Sequence, residues 1–268
     1  MGRLYSLMKR ILKGANHDTD NSNPYLLPRN PQQEDIYLVE FPKSGVTYLG
    51  FLLGNIELLL DGKNHEQISF FNYSQYIPDV SLIRGMPIRR WSRRTFIKSH
   101  EPFTPFYIHL IYLIRHPEDV MVSYYNYMRD EGLQATFPDF VASSKYGIRA
   151  WCNHVSSWVN NSSNARRIHL MRYEDLVQDP LTYLTELYHN LGVDVPESII
   201  KTAIERSQLE RMKQSEELYR KYHPTYRMNF VGKQGKIRKE ELFSQFPDTR
   251  LLIQEEAEAL LKRFYPES

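Results

Sequence analysis

Lys43, Lys98, His100 and Arg115 are the residues whose types and spacing point to chemistry in this chain. Each stands where an apolar run gives way to a polar turn. Lys43 sits in the stretch EFPKSGVTY, residues 40–48, directly after the run Ile36–Phe41. Lys98 and His100 close the run that begins at Thr95, and Arg115 ends Leu110–Ile114. Lysine and arginine offer fixed positive charge and several N–H donors, which suits phosphate-like anions. Histidine, with an ordinary pKa of about 6.5, exchanges a proton near neutral pH. Together, at the ends of apolar runs, they suit the binding of a phosphate-like anion.

The elements that must hold these residues follow from the hydrophobic pattern. Ile36–Phe41 is short, β-branched and aromatic, as a buried strand is, and Thr47–Leu60 reads as a helix. The loop between them directs several backbone N–H groups and a helix dipole into one small space, a ready anion site. The pattern G-x-x-x-x-G-K-[ST] is absent, because Pro42 stands where its last glycine belongs and only Gly45 remains. Thr95–Lys98, Leu110–Arg115 and Ile168–Tyr173 read as further strands. Helices are expected near 117–130, 150–163, 174–191, 196–206 and 248–264. Strands alternating with helices predict an α/β fold, a central parallel sheet flanked by helices. In such sheets ligands gather at the carboxyl ends of strands, where all four residues fall. Pro117 opens a helix after Arg115, and Ser123 follows nearly two turns along, which allows a second anion site. Segment 61–94 reads as an insertion of loops and short helices, and 207–247 as a polar, mobile cover.

Composition narrows the classes. With 268 residues, 41% hydrophobic and 13% aromatic, the chain can bury a sizeable core. A net charge of +2 argues against nucleic acid as a partner. The one cysteine, Cys152, excludes an internal disulfide and suits a reducing compartment. No apolar stretch is long enough to span a bilayer, and no cleavable leader is evident, so the expected location is cytoplasmic. Residues 1–34 stand apart from a domain covering 35–268. Leu4, Leu7, Met8, Ile11 and Leu12 recur at helical spacing among Arg3, Lys9, Arg10 and Lys13. That pattern suits peripheral membrane contact through residues 1–14, or a short helix packed on the domain. Residues 15–34 have a linker's composition. No His-Glu-x-x-His or paired-cysteine spacing points to a metal.

Taken in order, the motifs resemble those of the PAPS-dependent sulfotransferases. The 5′-phosphosulfate loop of that family is similar to Phe41–Tyr48, its Lys-x-His element to Lys98–Pro102, and its 3′-phosphate signature to Arg115–Ser123; Tyr173–Leu176 is a fourth echo. The set runs over roughly residues 36–265. The resemblance implies a P-loop NTPase-like sulfotransferase fold and transfer of a sulfuryl group from PAPS to a hydroxyl or amine, leaving PAP, without a metal. It implies that Lys43 neutralises the departing 5′-phosphate, that Ser44, Gly45, Val46 and Thr47 hold it, and that Lys98 orients the sulfuryl group. His100 would take the acceptor's proton, with Glu101 as the other candidate, while Arg115 and Ser123 would clamp the 3′-phosphate. Tyr48 occupies the place of the family's adenine-contacting tryptophan. Tyr173 and Ser207 match nucleotide-contacting positions.

The chain departs from the family near its end. The Arg-Lys-Gly-x-x-Gly segment corresponds to Phe230–Gly235, where Gly232 and Lys233 remain and the first two basic residues are missing. Lys233, Arg227 or Lys236 would have to replace them. Leu209 stands where an aromatic residue often covers the base. The cluster Arg84, Arg89, Arg90, Arg93 and Arg94 suits an acidic or polyhydroxylated acceptor such as a glycan, and equally a solvated basic face. Segments 61–94, 130–147 and 207–247 are expected to wall the acceptor pocket, and the oligomeric state is open. Plainer roles exist too: Lys43 as a surface lysine, His100 as a structural histidine, and Arg115 paired with Glu118 or Asp119. Two other functions fit the anion sites, a non-catalytic PAP-binding protein and a P-loop kinase-like phosphotransferase.

Overall fold

The five residues Ile36–Glu40 form β1 and are buried throughout, as their apolar character requires of a central strand. The structure, a computed structural model, describes residues 27–83, 86–161, 167–226, 230–231 and 235–266. The basic segment 1–14, Arg84, Arg227, Gly232 and Lys233 lie outside the described residues.

After β1 come α1 (Val46–Leu60), α2 (Tyr73–Tyr76), β2 (Phe96–Ser99) and β3 (His109–Ile114). Then follow α3 (Pro117–Asp130), α4 (Phe137–Ala142), α5 (Ile148–Val159) and β4 (Arg167–Arg172). The chain ends through α6 (Tyr173–Gln178), α7 (Pro180–Asn190), α8 (Glu197–Arg206), α9 (Leu209–Tyr222), α10 (Lys239–Gln245) and α11 (Pro247–Phe264).

All strand pairs are parallel and the order is β2-β1-β3-β4. Side chains alternate across the sheet. Tyr37, Val39, Tyr112 and Ile114 face a core with Trp151, Trp158, Phe137 and Phe140. Ile36, Leu38, Ile111 and Leu113 face Leu49, Leu52, Leu184 and Leu187. From β1 the chain goes to β2 on one side and β3 on the other. The strand order therefore reverses there, and the carboxyl ends of β1 and β3 open a crevice.

One expectation needs correction, and one segment holds helices that its composition did not announce. The helix predicted over 174–191 is two helices, because Asp179 caps the second by accepting from Thr182 N at 3.1 Å and Pro180 cannot continue the first. Segment 207–247, read as a mobile cover, contains α9 and α10. Met212 and Glu216 are the buried residues of α9, so hydrophobic periodicity gave little sign of it. Segment 61–94 does carry one short helix, α2. The arginine cluster is partly structural. Arg90 pairs with buried Asp35 at 2.7 Å, Arg94 pairs with buried Glu57 at 2.7 Å, and Arg89 stacks on Trp91.

Candidate functional site

Phe41–Gly45 carries the chain from β1 into α1 by way of two residues in the left-handed region, Lys43 at φ 76° and Gly45 at φ 113°. At Gly45 the reason for glycine is also steric, since a Cβ there would overlap the ring of Tyr173. Tyr173, the first residue of α6, thus wedges against the loop. The Arg115 guanidinium lies 4.6 Å from the same ring and donates through Nη1 to the Lys43 carbonyl at 3.1 Å. Residues 43 and 115, which the sequence placed on separate strands, meet at one crevice. The Lys43 ammonium lies 4.8 Å from the ring of Tyr127 and 4.9 Å from that of Phe230. Phe230, where the resemblance expected a basic residue, therefore forms part of the aromatic wall around Lys43. Glu216 fixes that wall, accepting from Phe230 N at 2.6 Å and Val231 N at 3.0 Å.

The end of β2 supplies the opposite side. Lys98 pairs with Asp79 at 3.2 Å, and the backbone at these two residues makes an isolated parallel bridge. The His100 Nδ1 lies 3.2 Å from the Glu40 carbonyl, which makes Nδ1 the protonated nitrogen of a neutral ring and Nε2 the basic one. His154 supports this turn. Its Nε2 lies 3.2 Å from the His100 carbonyl and its Nδ1 lies 2.9 Å from the Tyr112 hydroxyl.

Two acids were missed in the sequence. Glu40 ends β1 with 2% of its surface exposed, and its Oε2 accepts the Val46 N–H at 2.7 Å. Its Oε1 lies 3.8 Å from His100 Nδ1. An acid closing an otherwise apolar buried strand was a legible signal, because a buried carboxylate needs partners. Asp79 lies in a segment without periodicity and gave none.

Electrostatics tie the groups together. Burial pushes the Lys43 ammonium down to about 7, with Lys236, Lys98 and Arg115 adding repulsion and Glu40 opposing. Burial pushes Glu40 up to about 7 against the pull of Lys98, the Val46 N–H, Lys43 and Arg115. His100 is held below its ordinary value by burial and Lys98, with Asp79 opposing. An unperturbed histidine, expected from sequence, is therefore not what the site contains. Burial acts to raise Asp79, yet Lys98 and His100 beside it hold it below the usual carboxylate range.

The remaining sequence candidates divide. Ser44 is buried in the loop, while Thr47 and Tyr48 are half-buried on the first turn of α1. Tyr48 adjoins Tyr173 electrostatically. Ser123 is half-buried on α3. Ser207 is fully buried and its hydroxyl accepts from Asn55 Nδ2 at 3.1 Å, so its hydrogen bond runs to α1. The rival pairing of Arg115 is not what the charges do: Glu118 binds Lys239 and Arg250, and Asp119 binds Lys239. Glu101 directs its carbonyl to Trp158 Nε1 at 3.0 Å. Among the described residues no group of three or more His, Cys, Asp or Glu is arranged to hold a metal.

Known proteins resemble this chain in sequence and in fold. Mouse Sulfotransferase 4A1 is 28% identical over 186 residues, 64% of this chain and 64% of that relative. Rat Sulfotransferase 1E1 is 27% identical over 196 residues, 67% of this chain and 66% of that relative. The match thus spans just under two thirds of the length of these curated relatives. Among solved structures, retinol dehydratase in complex with androsterone and inactive cofactor PAP superposes with a TM-score of 0.64 at 17% identity. That match covers 90% of this chain and 83% of the other. Mouse sulfotransferase SULT7A1 complexed with PAP gives a TM-score of 0.50 at 22% identity, covering 69% of this chain and 67% of the other. Both likenesses are of fold. With a family model for the sulfotransferase domain matching residues 33–254, which include the loop, the Lys-x-His element and the Arg115 helix, the chain belongs to the sulfotransferase domain family.

Proposed function

We propose that the protein transfers a sulfuryl group from PAPS to a hydroxyl or amine acceptor. The observation that carries this reading is the convergence of Lys43, Lys98, Arg115 and Lys236 on a crevice where Glu40 is the buried acid, with Lys43 pushed down toward neutrality. Cations crowded in this way favour a multiply charged anion over water. The loop suits such an anion, since its two left-handed residues, Lys43 and Gly45, lead directly into the N-terminus of α1. When bound, PAPS supplies the sulfuryl group, whose bond to the 5′-phosphate oxygen breaks as the acceptor atom bonds to sulfur.

The residues of the chain divide the rest. Lys43 regains its full charge beside an anion and neutralises the negative charge gathering on the leaving phosphate. Lys98, steadied by Asp79, orients its ammonium toward the group in transfer. His100 takes the acceptor's proton at Nε2, because Nδ1 is engaged with the Glu40 carbonyl. Arg115 and Ser123 hold the 3′-phosphate, Tyr48 and Tyr173 contact the nucleoside, and Lys236 serves in place of the missing basic pair. Solved relatives hold androsterone or retinol as well as PAP, which favours a small hydroxylated acceptor. A glycan draws support from the Arg89–Arg94 region, although Arg90 and Arg94 are engaged with buried acids. No described helix is long and apolar enough to cross a membrane. We place the protein in the cytoplasm, with residues 1–14 as its contact with membrane surfaces.

Thermal denaturation with PAP, AMP and ATP-Mg²⁺ tests the nucleotide. PAP at about a hundred times its Kd should add about 2.7 kcal/mol to the folded state. Preference for ATP-Mg²⁺ refutes this reading in favour of a kinase. Sulfate transfer from labelled PAPS to an acceptor panel then separates an enzyme from a PAP-binding protein. His100→Ala should lose turnover and keep PAP binding; full turnover in that variant removes His100 from its role.

A further inference from the structure

The buried carboxylate of Glu40 lies inside the cradle prepared for an anion. Its Oε2 takes the Val46 N–H at 2.7 Å, one of the first N–H groups of α1, which would otherwise be offered to a ligand. Gly45 caps this helix and offers no side chain, so Glu40 supplies the negative charge that the N-terminus attracts. Its other oxygen lies 3.8 Å from His100 Nδ1. With 2% exposure, the carboxylate has little recourse to water.

We infer that Glu40 is a positioning residue that occupies the anion cradle in the free protein and takes up a proton when the 5′-phosphate end of the nucleotide enters. This rests on the donor reading above. Once a phosphate dianion arrives, an ionised Glu40 is a second anion held in the same small space, and the desolvated pair repel strongly. A protonated Glu40 keeps an oxygen to accept the Val46 N–H and gains an O–H donor.

Every neighbouring element contributes a group that bears on this proton. Lys43 comes from the loop, Lys98 and His100 from the end of β2, and Arg115 from the end of β3. Tyr112 on β3, Tyr73 on α2 and Tyr173 on α6 also adjoin it, all neutral near pH 7 because burial holds each phenol above its ordinary value. In the free site the cations favour ionisation and burial opposes it, which leaves Glu40 near 7. Adding a dianion raises it further, so each binding event draws in a proton above that pH. Lys43 also gains a proton on binding; Glu40→Gln keeps Lys43 but removes the carboxylate that raises it, so Lys43 takes up at least as much in the variant and any excess in the wild type belongs to Glu40.

The experiment is PAP affinity by titration calorimetry from pH 6 to pH 9, for the wild type and Glu40→Gln. At pH 8, buffers of different ionisation enthalpy also give the protons taken up per PAP. Near pH 6 the two proteins should bind within about threefold of each other. The ratio of wild-type to variant Kd should then rise by up to about tenfold per pH unit between pH 7 and pH 9, following one linked proton. At pH 8 the wild type should take up close to one proton more than the variant. Binding by both proteins with parallel pH profiles and equal proton uptake overturns the inference and leaves the donor reading intact. Should Glu40→Gln fail to fold, proton uptake of the wild type at pH 8 decides: Lys43 alone accounts for at most about one, so a value near two supports the role of Glu40 and a value of one or less overturns it. Absence of PAP binding by the wild type at every pH overturns both.

Discussion

Replacing Lys43 with methionine should make the free protein more stable while removing its response to PAP. In the unfolded chain the Lys43 ammonium has its ordinary pKa near 10.5, and in the folded chain burial pushes it down to about 7. Below pH 7 the charge must therefore be held against desolvation and the repulsion of Lys236, Lys98 and Arg115. Converted directly, that difference costs up to about 5 kcal/mol. Water reaching the half-buried side chain screens part of it, and contact with the Tyr127 and Phe230 rings offsets about 1 kcal/mol. A net gain of about 1–3 kcal/mol remains for Lys43→Met, whose unbranched apolar chain keeps the aromatic contacts. For a chain of this size that is a rise in Tm of roughly 2–8 °C.

The pH dependence has a definite sign. Between about 7 and 10.5 the unfolded chain binds the proton that folded Lys43 has lost, so wild-type stability gains from this residue as pH rises. The advantage of Lys43→Met is thus full at pH 6, where Glu40 is largely protonated and loses little by the absence of its neighbour. It should shrink at pH 9, where wild-type Lys43 is neutral and Glu40 is ionised. Thermal melts by circular dichroism at pH 6 and pH 9, with and without PAP, measure all three quantities. A variant less stable than wild type at pH 6, or an advantage unchanged at pH 9, would refute the reasoning.

Gly45→Ala should destabilise the protein by about 2–4 kcal/mol in urea and weaken PAP binding, since it adds left-handed strain and pushes Tyr173 away from Arg115. An alanine variant as stable as wild type would mean that Tyr173 is not wedged against the loop. Asp79→Asn removes the charge that lies 3.2 Å from Lys98. It should lower kcat by about tenfold with PAP affinity nearly unchanged, because the group in transfer feels the loss and the nucleotide phosphates do not. Equal kcat in the two proteins would free Lys98 from any dependence on Asp79.

The central strands β1 and β3 were legible because they are continuous apolar runs separated by helical periods, and burial on both faces leaves such strands no other composition. The ends of the expected strands then located Lys43, Lys98, His100 and Arg115, which the fold does bring to neighbouring strand ends. What escaped the sequence was of two kinds. Helix α9 is anchored by Met212 and by Glu216, a buried acid whose partners are the backbone N–H groups of Phe230 and Val231. A polar anchor leaves no apolar period to read. Asp79 depends on a long-range bridge to Lys98, and Ser207 turns to Asn55, 152 residues away. Such pairings are set by tertiary packing, and local spacing carries no trace of them. Phe230 was read as a missing cation, whereas the fold uses its ring to surround the cation at Lys43.

Glu40 and Lys43 explain each other once their charges are considered as a pair. Each is displaced toward neutrality by the same burial, the acid upward and the base downward, and each opposes the displacement of its neighbour. In the free crevice burial therefore works against the charge of two adjacent groups at once. A phosphate dianion favours one protonation pattern, a charged lysine with a neutral glutamic acid, and selects it from those already accessible. That pattern is also the one suited to transfer, because it places a full positive charge beside the leaving phosphate and removes the competing negative one. A buried acid at this position would weaken nucleotide binding if its charge were fixed; with a titrating carboxyl, the loss is confined to alkaline pH.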